Sequence, residues 1–507
     1  MKKTIATNIV KILILLIAAL AQIAVMVLLA IWLEQHYVHF YWVSEVISIF
    51  IIFYLVKSDI NPIYKIPWII LLLVTPVFGG LVYIVYGRAH FAKSEVKRVG
   101  DCIAEFKKAI NSRTNSNALL KELDPDIAVQ TEYLLKYADA PVYTNTTTKY
   151  FHLADDMFPV LVEELKQAKN FIFMEFFIIE EGVMLDSIIE ILEKKVKEGL
   201  DVRFMYDSFG SILRAPADMV KRLQKKGIKC FEFNSFKSAF DSRYNNRDHR
   251  KICVIDGSVG FTGGFNLADE YINKKTVYGH WKDTAIMIKG DAVWSLTSMF
   301  LALWDSSKKE IDDYQKYIPS AKFTYNDGFV APYTDYPLDG EPVGKNVYVN
   351  MITRADKYIY IMTPYLVLDT VVMSALESAA KNGVDVRIIM PGIPDKKIVY
   401  MLSQSFYNVL LKAGVKIYEY TPGFVHAKVF LSDDTTAVVG TINLDYRSLA
   451  HHLEDAVWIY KTSSIEDIKA DFKETMEKSK LVPKEGKKES VLRRILIPIL
   501  RLFAPLF

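Results

Sequence analysis

Arg-Asp-His-Arg-Lys-Ile-Cys-Val-Ile-Asp-Gly at 247–257 and Val-His-Ala-Lys-Val-Phe-Leu-Ser-Asp at 425–433 share one pattern, H-x-K-x4-D. The first copy supplies His249, Lys251 and Asp256; the second supplies His426, Lys428 and Asp433. Seven residues past each Asp stands a glycine, Gly263 or Gly440, and three further on an asparagine, Asn266 or Asn443. All five positions repeat at a fixed offset of 177 residues. A single copy is weak, because short motifs arise by chance. Two copies that agree at five positions imply a duplicated unit and one site built from two halves.

The repeat extends outward from the motifs. Residues 171–177, 186–197 and 201–206 read as strand, helix and strand, and 358–363, 371–381 and 385–390 follow the same order. Lys-Glu-Gly-Leu-Asp-Val-Arg at 197–203 parallels Lys-Asn-Gly-Val-Asp-Val-Arg at 381–387. Strands alternating with helices predict two α/β halves made mostly of parallel βαβ units. Within each motif the His and Lys fall at alternate positions of an expected strand. Both side chains then project from one face, towards the other half.

Such a set suits a phosphodiester, which carries one negative charge and a poor leaving group. Cleavage needs a nucleophile, an acid for the leaving oxygen, and donors for the phosphoryl oxygens. One neutral imidazole can attack phosphorus and form a phosphoryl-histidine. The other, protonated, can serve the departing alkoxide and then take a proton from the incoming alcohol. Lys251 and Lys428 act as point charges on the phosphoryl oxygens, and Asn266 and Asn443 add phosphate-binding amides. No metal ion and no cofactor is required. Cys102, Cys230 and Cys253 offer no disulfide framework or CxxC metal site.

A nucleophilic imidazole also needs an acceptor on its second nitrogen. Gly-His-Trp-Lys-Asp-Thr-Ala-Ile at 279–286 aligns with Ala-His-His-Leu-Glu-Asp-Ala-Val at 450–457. The alignment pairs Asp283 with Glu454, which are expected to orient the two histidines. It also pairs His280 with His451, expected as structural or rim residues. Asp256 and Asp433 belong to the repeated motif but open Asp-Gly and Asp-Asp turns, which suits turn-fixing better than proton transfer. Glu175 and Tyr365 fall at equivalent strand ends, where ligands sit in open α/β sheets. They are placed to contact a glycerol head group or to pack beneath it.

The paired motifs resemble the phospholipase D superfamily, the HKD enzymes, and within it the bacterial cardiolipin synthases. The resemblance covers nearly the whole chain, including the apolar N-terminus and the Arg-Leu-Phe-Ala-Pro-Leu tail. It implies two repeated phospholipase D-like α/β/α domains that form one active site at their interface, preceded by transmembrane helices. It further implies His249 as nucleophile and His426 as acid and base. The implied reaction is phosphatidyl transfer from one phosphatidylglycerol to another, giving cardiolipin and glycerol through a phosphatidyl-histidine. The motifs alone also admit a phospholipase D-type hydrolase, a transferase to another acceptor alcohol and, less well, a nuclease. Two positions depart from the pattern. Thr441 stands where the first half has Gly264, and His452 stands where the family usually carries Asn.

The 507 residues are 51% hydrophobic, enough for more than one core, and the net charge of +3 does not argue for a nucleic-acid partner. The expected divisions are a membrane anchor of two to three hydrophobic segments at 1–90 and a helical connector beside the first half at 91–140. A first catalytic half follows at 141–310, a linker at 311–345, a second half at 346–482 and a basic amphipathic tail at 483–507. Residues 12–33 are 22 uncharged residues, enough to span a bilayer. Residues 40–56 contain Glu45, and 66–86 contain Pro67, Pro76, Gly79 and Gly80, so the third segment is expected to kink or re-enter. Lys2, Lys3 and Lys11, then Lys57 and Lys65, mark cytoplasmic ends. Three full spans would put Arg88, Lys93, Lys97 and Arg98 outside, against the same rule. The expectation is a multi-pass cell-membrane protein whose catalytic region is cytoplasmic and one of whose segments does not cross. The bilayer is its partner, and assembly with further copies of the chain is left open.

Overall fold

The computed structural model describes residues 2–36, 38–58, 62–86, 101–102, 104–110, 115–234, 246–308, 311–337, 340–484 and 491–504. The first half contributes β1 (Thr146–Phe151), β2 (Phe171–Phe176), β3 (Asp201–Asp207), β4 (Lys229–Phe233), β5 (Ile252–Ile255), β6 (Val259–Gly263), β7 (His280–Lys282) and β8 (Ala285–Gly290). All but β7 form one sheet in the order β1-β8-β6-β5-β2-β3-β4. The second half contributes β9 (Phe329–Asp335), β10 (Tyr358–Met362), β11 (Asp385–Pro391), β12 (Lys416–Tyr420), β13 (Gly423–Val425), β14 (Val429–Ser432), β15 (Thr436–Gly440), β16 (Glu454–Tyr460) and β17 (Ser479–Leu481). Its sheet runs β17-β12-β11-β10-β14-β15-β16-β9. Without β17 the two orders match strand for strand, so the sequence repeat is a repeat of topology.

The sheets are not mostly parallel. Only β2–β3, β3–β4, β10–β11 and β11–β12 pair in parallel; the other pairings within the two sheets are antiparallel. The cause lies in the motif aspartates. Asp256 and Gly257 have φ of 54° and 64°, and Asp433 and Asp434 have φ of 53° and 59°. Consecutive left-handed residues turn a chain straight back on itself, so β5–β6 and β14–β15 are hairpins.

Two expected divisions also move. The stretch expected as a linker contains β9, which pairs with β16 along its full length, as Phe329↔Tyr460 through Asp335↔Glu454. The expected connector packs on both halves: Phe106 and Ala109 join the core of Trp294, whose Nε1 donates to Ala109 O at 3.0 Å, and the later helices pack on the second half. Leu120, Ala128 and Leu134, from helices Asn117–Leu123 and Pro125–Ala138, join the core of Tyr333, Val347 and Trp458. Trp458 Nε1 donates to Gln130 Oε1 at 3.0 Å. An apolar helix face goes to the uncovered apolar surface it fits, and closeness in sequence does not decide that.

One core joins the halves. It takes Phe173, Phe300 and Trp304 from the first and Ile389, Val425, Val439 and Phe472 from the second. Helices Val293–Lys308 and Ser464–Glu477, which follow β8 and β16, both feed this core. The interface is therefore packed like a domain interior, and the site beside it rests on a fixed relation between the halves.

At the N-terminus lie helices α1 (Lys2–His36), α2 (Val38–Lys57), α3 (Pro62–Val74) and α4 (Pro76–Tyr86). Among described residues α2 is the one helix long and apolar enough to cross a membrane, with shorter apolar stretches at Leu20–His36 and Pro62–Val74. The break between α3 and α4 falls at Thr75, before Pro76, whose ring removes a backbone donor. The two helices then fold against each other, with Trp68 and Tyr83 rings 5.3 Å apart. At about 1.5 Å per residue each is about 20 Å or less, short of a hydrocarbon core of about 30 Å. The third apolar segment is thus a helical hairpin. Its foot rests on the second half, where Tyr64 packs on Tyr446 (5.8 Å) and His451 (5.3 Å). The tail helix Val491–Phe503 docks there too, through Arg501 Nε to Ser405 Oγ at 2.9 Å, and leaves Ile495 and Ile499 exposed. Arg88, Lys93, Lys97 and Arg98 lie outside the described residues.

Candidate active site

His249–Lys251 and His426–Lys428 do not lie within strands, as the alternation suggested. Each triplet is an extended bend just ahead of β5 or β14. The chain before each bend pairs with the other half. β13, which leads into His426, runs parallel to β7, which leads into Asp283; His426 N donates to Lys282 O at 2.7 Å. Asp248 bridges Leu453 in the same sense, with His249 N on Leu453 O at 2.9 Å.

This pairing crosses the acids over. His249 Nδ1 lies 2.8 and 3.0 Å from the two carboxylate oxygens of Glu454. His426 Nδ1 lies 2.6 Å from Asp283 Oδ2. Each histidine is therefore held by the acid of the opposite half. Both acids are fully buried. The sequence alignment identified the two acids but carried no sign of the crossing.

An anionic acceptor on Nδ1 fixes the tautomer with the proton there and leaves the Nε2 lone pair free. Burial pushes the His249 imidazole well below the usual histidine range, against the pull of Glu454. It pushes His426 down to about 4, with Lys428 adding repulsion and Asp283 opposing. Burial likewise lowers Lys251 to about 8 and Lys428 to about 7. Burial would raise Glu454, but the His249 contact outweighs it and holds that carboxyl well below its ordinary range. Two neutral imidazoles, two ionised acids and two nearby amines thus occupy one buried cluster.

The lysines are held by their own motifs, Lys251 Nζ donating to His249 O and Lys428 Nζ to His426 O. Asn266 accepts from Ile178 N at 2.9 Å and donates to Tyr271 OH at 2.7 Å. Asn443 donates to Ser448 Oγ at 3.1 Å, and its own Oδ1 has no partner. Each amide nitrogen carries two hydrogens, so one remains for a phosphoryl oxygen. The Thr441 departure has a local cause. Its hydroxyl donates to Glu454 Oε2 and accepts from Asp455 N at 3.0 Å. At the matching Gly264 a Cβ would stand 2.0 Å from Asp283 Oδ1, so only glycine fits beside that acid.

Several expectations move outside the cluster. Asp256 accepts from the backbone N–H of Lys169, Asn170 and Phe171 at 2.7–2.9 Å, and Asp433 from Asp356, Lys357 and Tyr358 at 2.8–2.9 Å. They sit at the far ends of β5 and β14 from the histidines, where they tie the sheet together as turn-fixing residues. Asp256→Ala or Asp433→Ala should cost about 2–4 kcal/mol of stability through three orphaned donors. Denaturation midpoints should fall while kcat per folded molecule stays within about threefold; a kcat loss at unchanged stability would return them to the chemistry. Glu175 is buried and paired with Arg250 Nε at 2.6 Å, so it does not face a head group. Tyr365 donates to Asp395 Oδ2 at 2.6 Å. His280 bonds Tyr420 OH at 3.0 Å and His451 packs on Tyr64, both structural.

The sequence reading passed over three neighbours of the cluster. Asp455 is buried, raised to about 7 by that burial, and accepts from Thr262 Oγ1 at 2.6 Å across the interface. Phe177 edges onto His249 (4.9 Å) and Tyr271 onto His426 (5.6 Å). The doubled Glu454-Asp455 was the one sequence signal for any of them.

The family pattern described as "Cardiolipin synthase, PLD-like domain" matches residues 161–304 and 348–476, over half of the chain and one stretch in each half. The chain belongs to this family. A second pattern, "Phospholipase_D-nuclease N-terminal", matches residues 46–88. A cardiolipin synthase of Alkalihalophilus pseudofirmus is 35% identical over 83% of this chain and 84% of its own length. An uncharacterized protein of Streptococcus mutans is 44% identical over 90% of this chain and 99% of its own. The crystal structure of phosphatidylserine synthase from Haemophilus influenzae covers 74% of this chain and 98% of its own, with TM-score 0.56 at 14% identity, a likeness of fold. Membership in the PLD-like cardiolipin synthase family accounts for the paired domains and for the single cluster between them.

Proposed function

We propose that the chain is a membrane-associated phosphatidyltransferase that converts two phosphatidylglycerols into cardiolipin and glycerol. The observation that carries this reading is the pair of crossed His–carboxylate contacts, which leaves two free Nε2 atoms in a family of cardiolipin synthases. His249 Nε2 attacks the phosphorus of the first lipid. The P–O bond to glycerol breaks, and the departing alkoxide takes a proton from His426. The head-group hydroxyl of a second phosphatidylglycerol then gives its proton to His426 and attacks phosphorus, and the P–N bond to His249 breaks. One phosphodiester replaces another, so the reaction is reversible.

His426 must be protonated for the first step, although burial holds it near 4 in the free site. A phosphodiester anion beside Nε2 favours the charged form and raises that value. Lys251 and Lys428 and the amides of Asn266 and Asn443 take the phosphoryl oxygens. A purified, detergent-solubilised protein given labelled phosphatidylglycerol alone should yield cardiolipin and equimolar glycerol. Phosphatidic acid as the main product would replace transfer with hydrolysis.

The same reading places the catalytic halves on the cytoplasmic side. Tyr64 seats the foot of the α3–α4 hairpin on the second half, so the Lys57–Lys65 corner and the catalytic halves share a face of the bilayer. With α1 crossing through its uncharged 12–33 stretch, α2 crossing and the hairpin re-entering, the catalytic halves return to the side of Lys57. The charge conflict of three full spans disappears. In intact cells an impermeant thiol reagent should label Gln35→Cys but not Ser58→Cys; the reverse pattern would invert the topology.

A further inference from the structure

Nothing in the reaction above uses His452. Its side chain is 10% exposed, and neither ring nitrogen has a hydrogen-bond partner. Its Nδ1 lies 3.6 Å from Glu454 Oε1, and its ring lies 5.5 Å from the His249 ring. A buried polar group without a hydrogen bond is costly, and here Nε2 has none while Nδ1 has only the long contact to Glu454.

We infer that His249, His452 and Glu454 form a binding site for a divalent cation of the zinc class, and that the ion silences the nucleophile. One ligand atom from each residue lies within 4.8 Å of the other two, the one such group among the described residues. Two imidazoles and a carboxylate are ligands zinc accepts, and bonds near 2.0–2.1 Å put tetrahedral ligand atoms about 3.3 Å apart. Glu454 Oε1 lies 3.0 Å from His249 Nδ1 and 3.6 Å from His452 Nδ1, on either side of that value, and the ligand atoms of the two histidines lie within 4.8 Å of each other.

Lys251 and Lys428 both interact with Glu454 and oppose a cation there. The balance suits a reversible ligand better than a permanent one. A bound ion takes either the Nδ1 that Glu454 orients or the Nε2 that attacks phosphorus, and both outcomes stop catalysis. This inhibitory effect rests on His249 being the nucleophile; binding itself does not.

The test uses the full-length, detergent-solubilised protein, stripped with a chelator and titrated with cobalt(II) chloride. The expected result is one cobalt per chain, with the visible absorption of a low-coordinate ion, displaced by zinc. His452→Asn should weaken binding by at least about 100-fold, more than the loss of an outer-shell partner costs. His452→Cys keeps a ligand and should keep the uptake, which separates ligand loss from a folding defect. No stoichiometric uptake by the unaltered protein, or equal uptake by His452→Asn, would overturn the site. Zinc bound through His452 with turnover unimpeded would leave the site standing and remove His249 from the catalytic reading.

Discussion

His426→Ala protein, given a phosphatidyl ester of p-nitrophenol, should release one p-nitrophenolate per chain and then stop. That leaving group needs no acid, so His249 can still attack phosphorus. The acceptor alcohol needs a base, and the base is gone, so phosphatidyl-His249 accumulates. With phosphatidylglycerol the same variant should lose turnover by about 10^4-fold or more, the scale on which removal of one member of a catalytic unit acts. His249→Ala should show neither burst nor turnover. Peptide mapping of the trapped adduct decides the assignment, since a label on His426 in the His249→Ala protein would reverse the two roles.

Glu454→Gln should damage the first-half histidine, and Asp283→Asn the second-half one. Glu454 is the acceptor that fixes His249 Nδ1, and an amide in its place removes the charge and admits the wrong tautomer. Neutralising the acid behind a catalytic imidazole has cost about 10^4-fold in kcat in a serine protease. With the p-nitrophenyl ester, Glu454→Gln should therefore slow the burst itself. Asp283→Asn should leave the burst and slow the transfer that follows, because Asp283 holds His426. Were Asp283→Asn to abolish the burst and Glu454→Gln to spare it, the crossed pairing would be wrong.

What the sequence makes legible here is set by spacing. A five-point repeat at offset 177 marks the duplication, both His–Lys pairs and both asparagines, because chemistry at a shared site fixes residue type and order together. The two acids are legible by alignment, but their partners are not. Which acid meets which histidine depends on β13 lying beside β7 and Asp248 beside Leu453, pairings between segments more than 100 residues apart that leave no periodic mark. The same holds for β9, whose seven residues look like a linker until β16 supplies its partner. The expectation of mostly parallel sheets misses for a different reason. Asp-Gly and Asp-Asp mark a turn in sequence, but strand direction follows from the paired left-handed φ that makes each turn a hairpin. Of the two readings open for Glu175, packing is the one the structure shows, and position at a strand end carries no sign of the buried arginine that decides it.

The distance in sequence between His249 and its acid has a consequence during synthesis. Glu454 is polymerised 205 residues after His249. At about 5–20 residues per second, that is a delay of roughly 10–40 s. Throughout it the anchor has already met the bilayer and the first half has its histidine, lysine and asparagine, but no carboxylate sets the imidazole. On the proposed role of His249, the growing chain cannot yet attack a lipid phosphorus. Arming waits for the last strands to leave the ribosome and dock, so an interrupted translation product is a chemically mute fragment rather than a lipase loose in its own membrane.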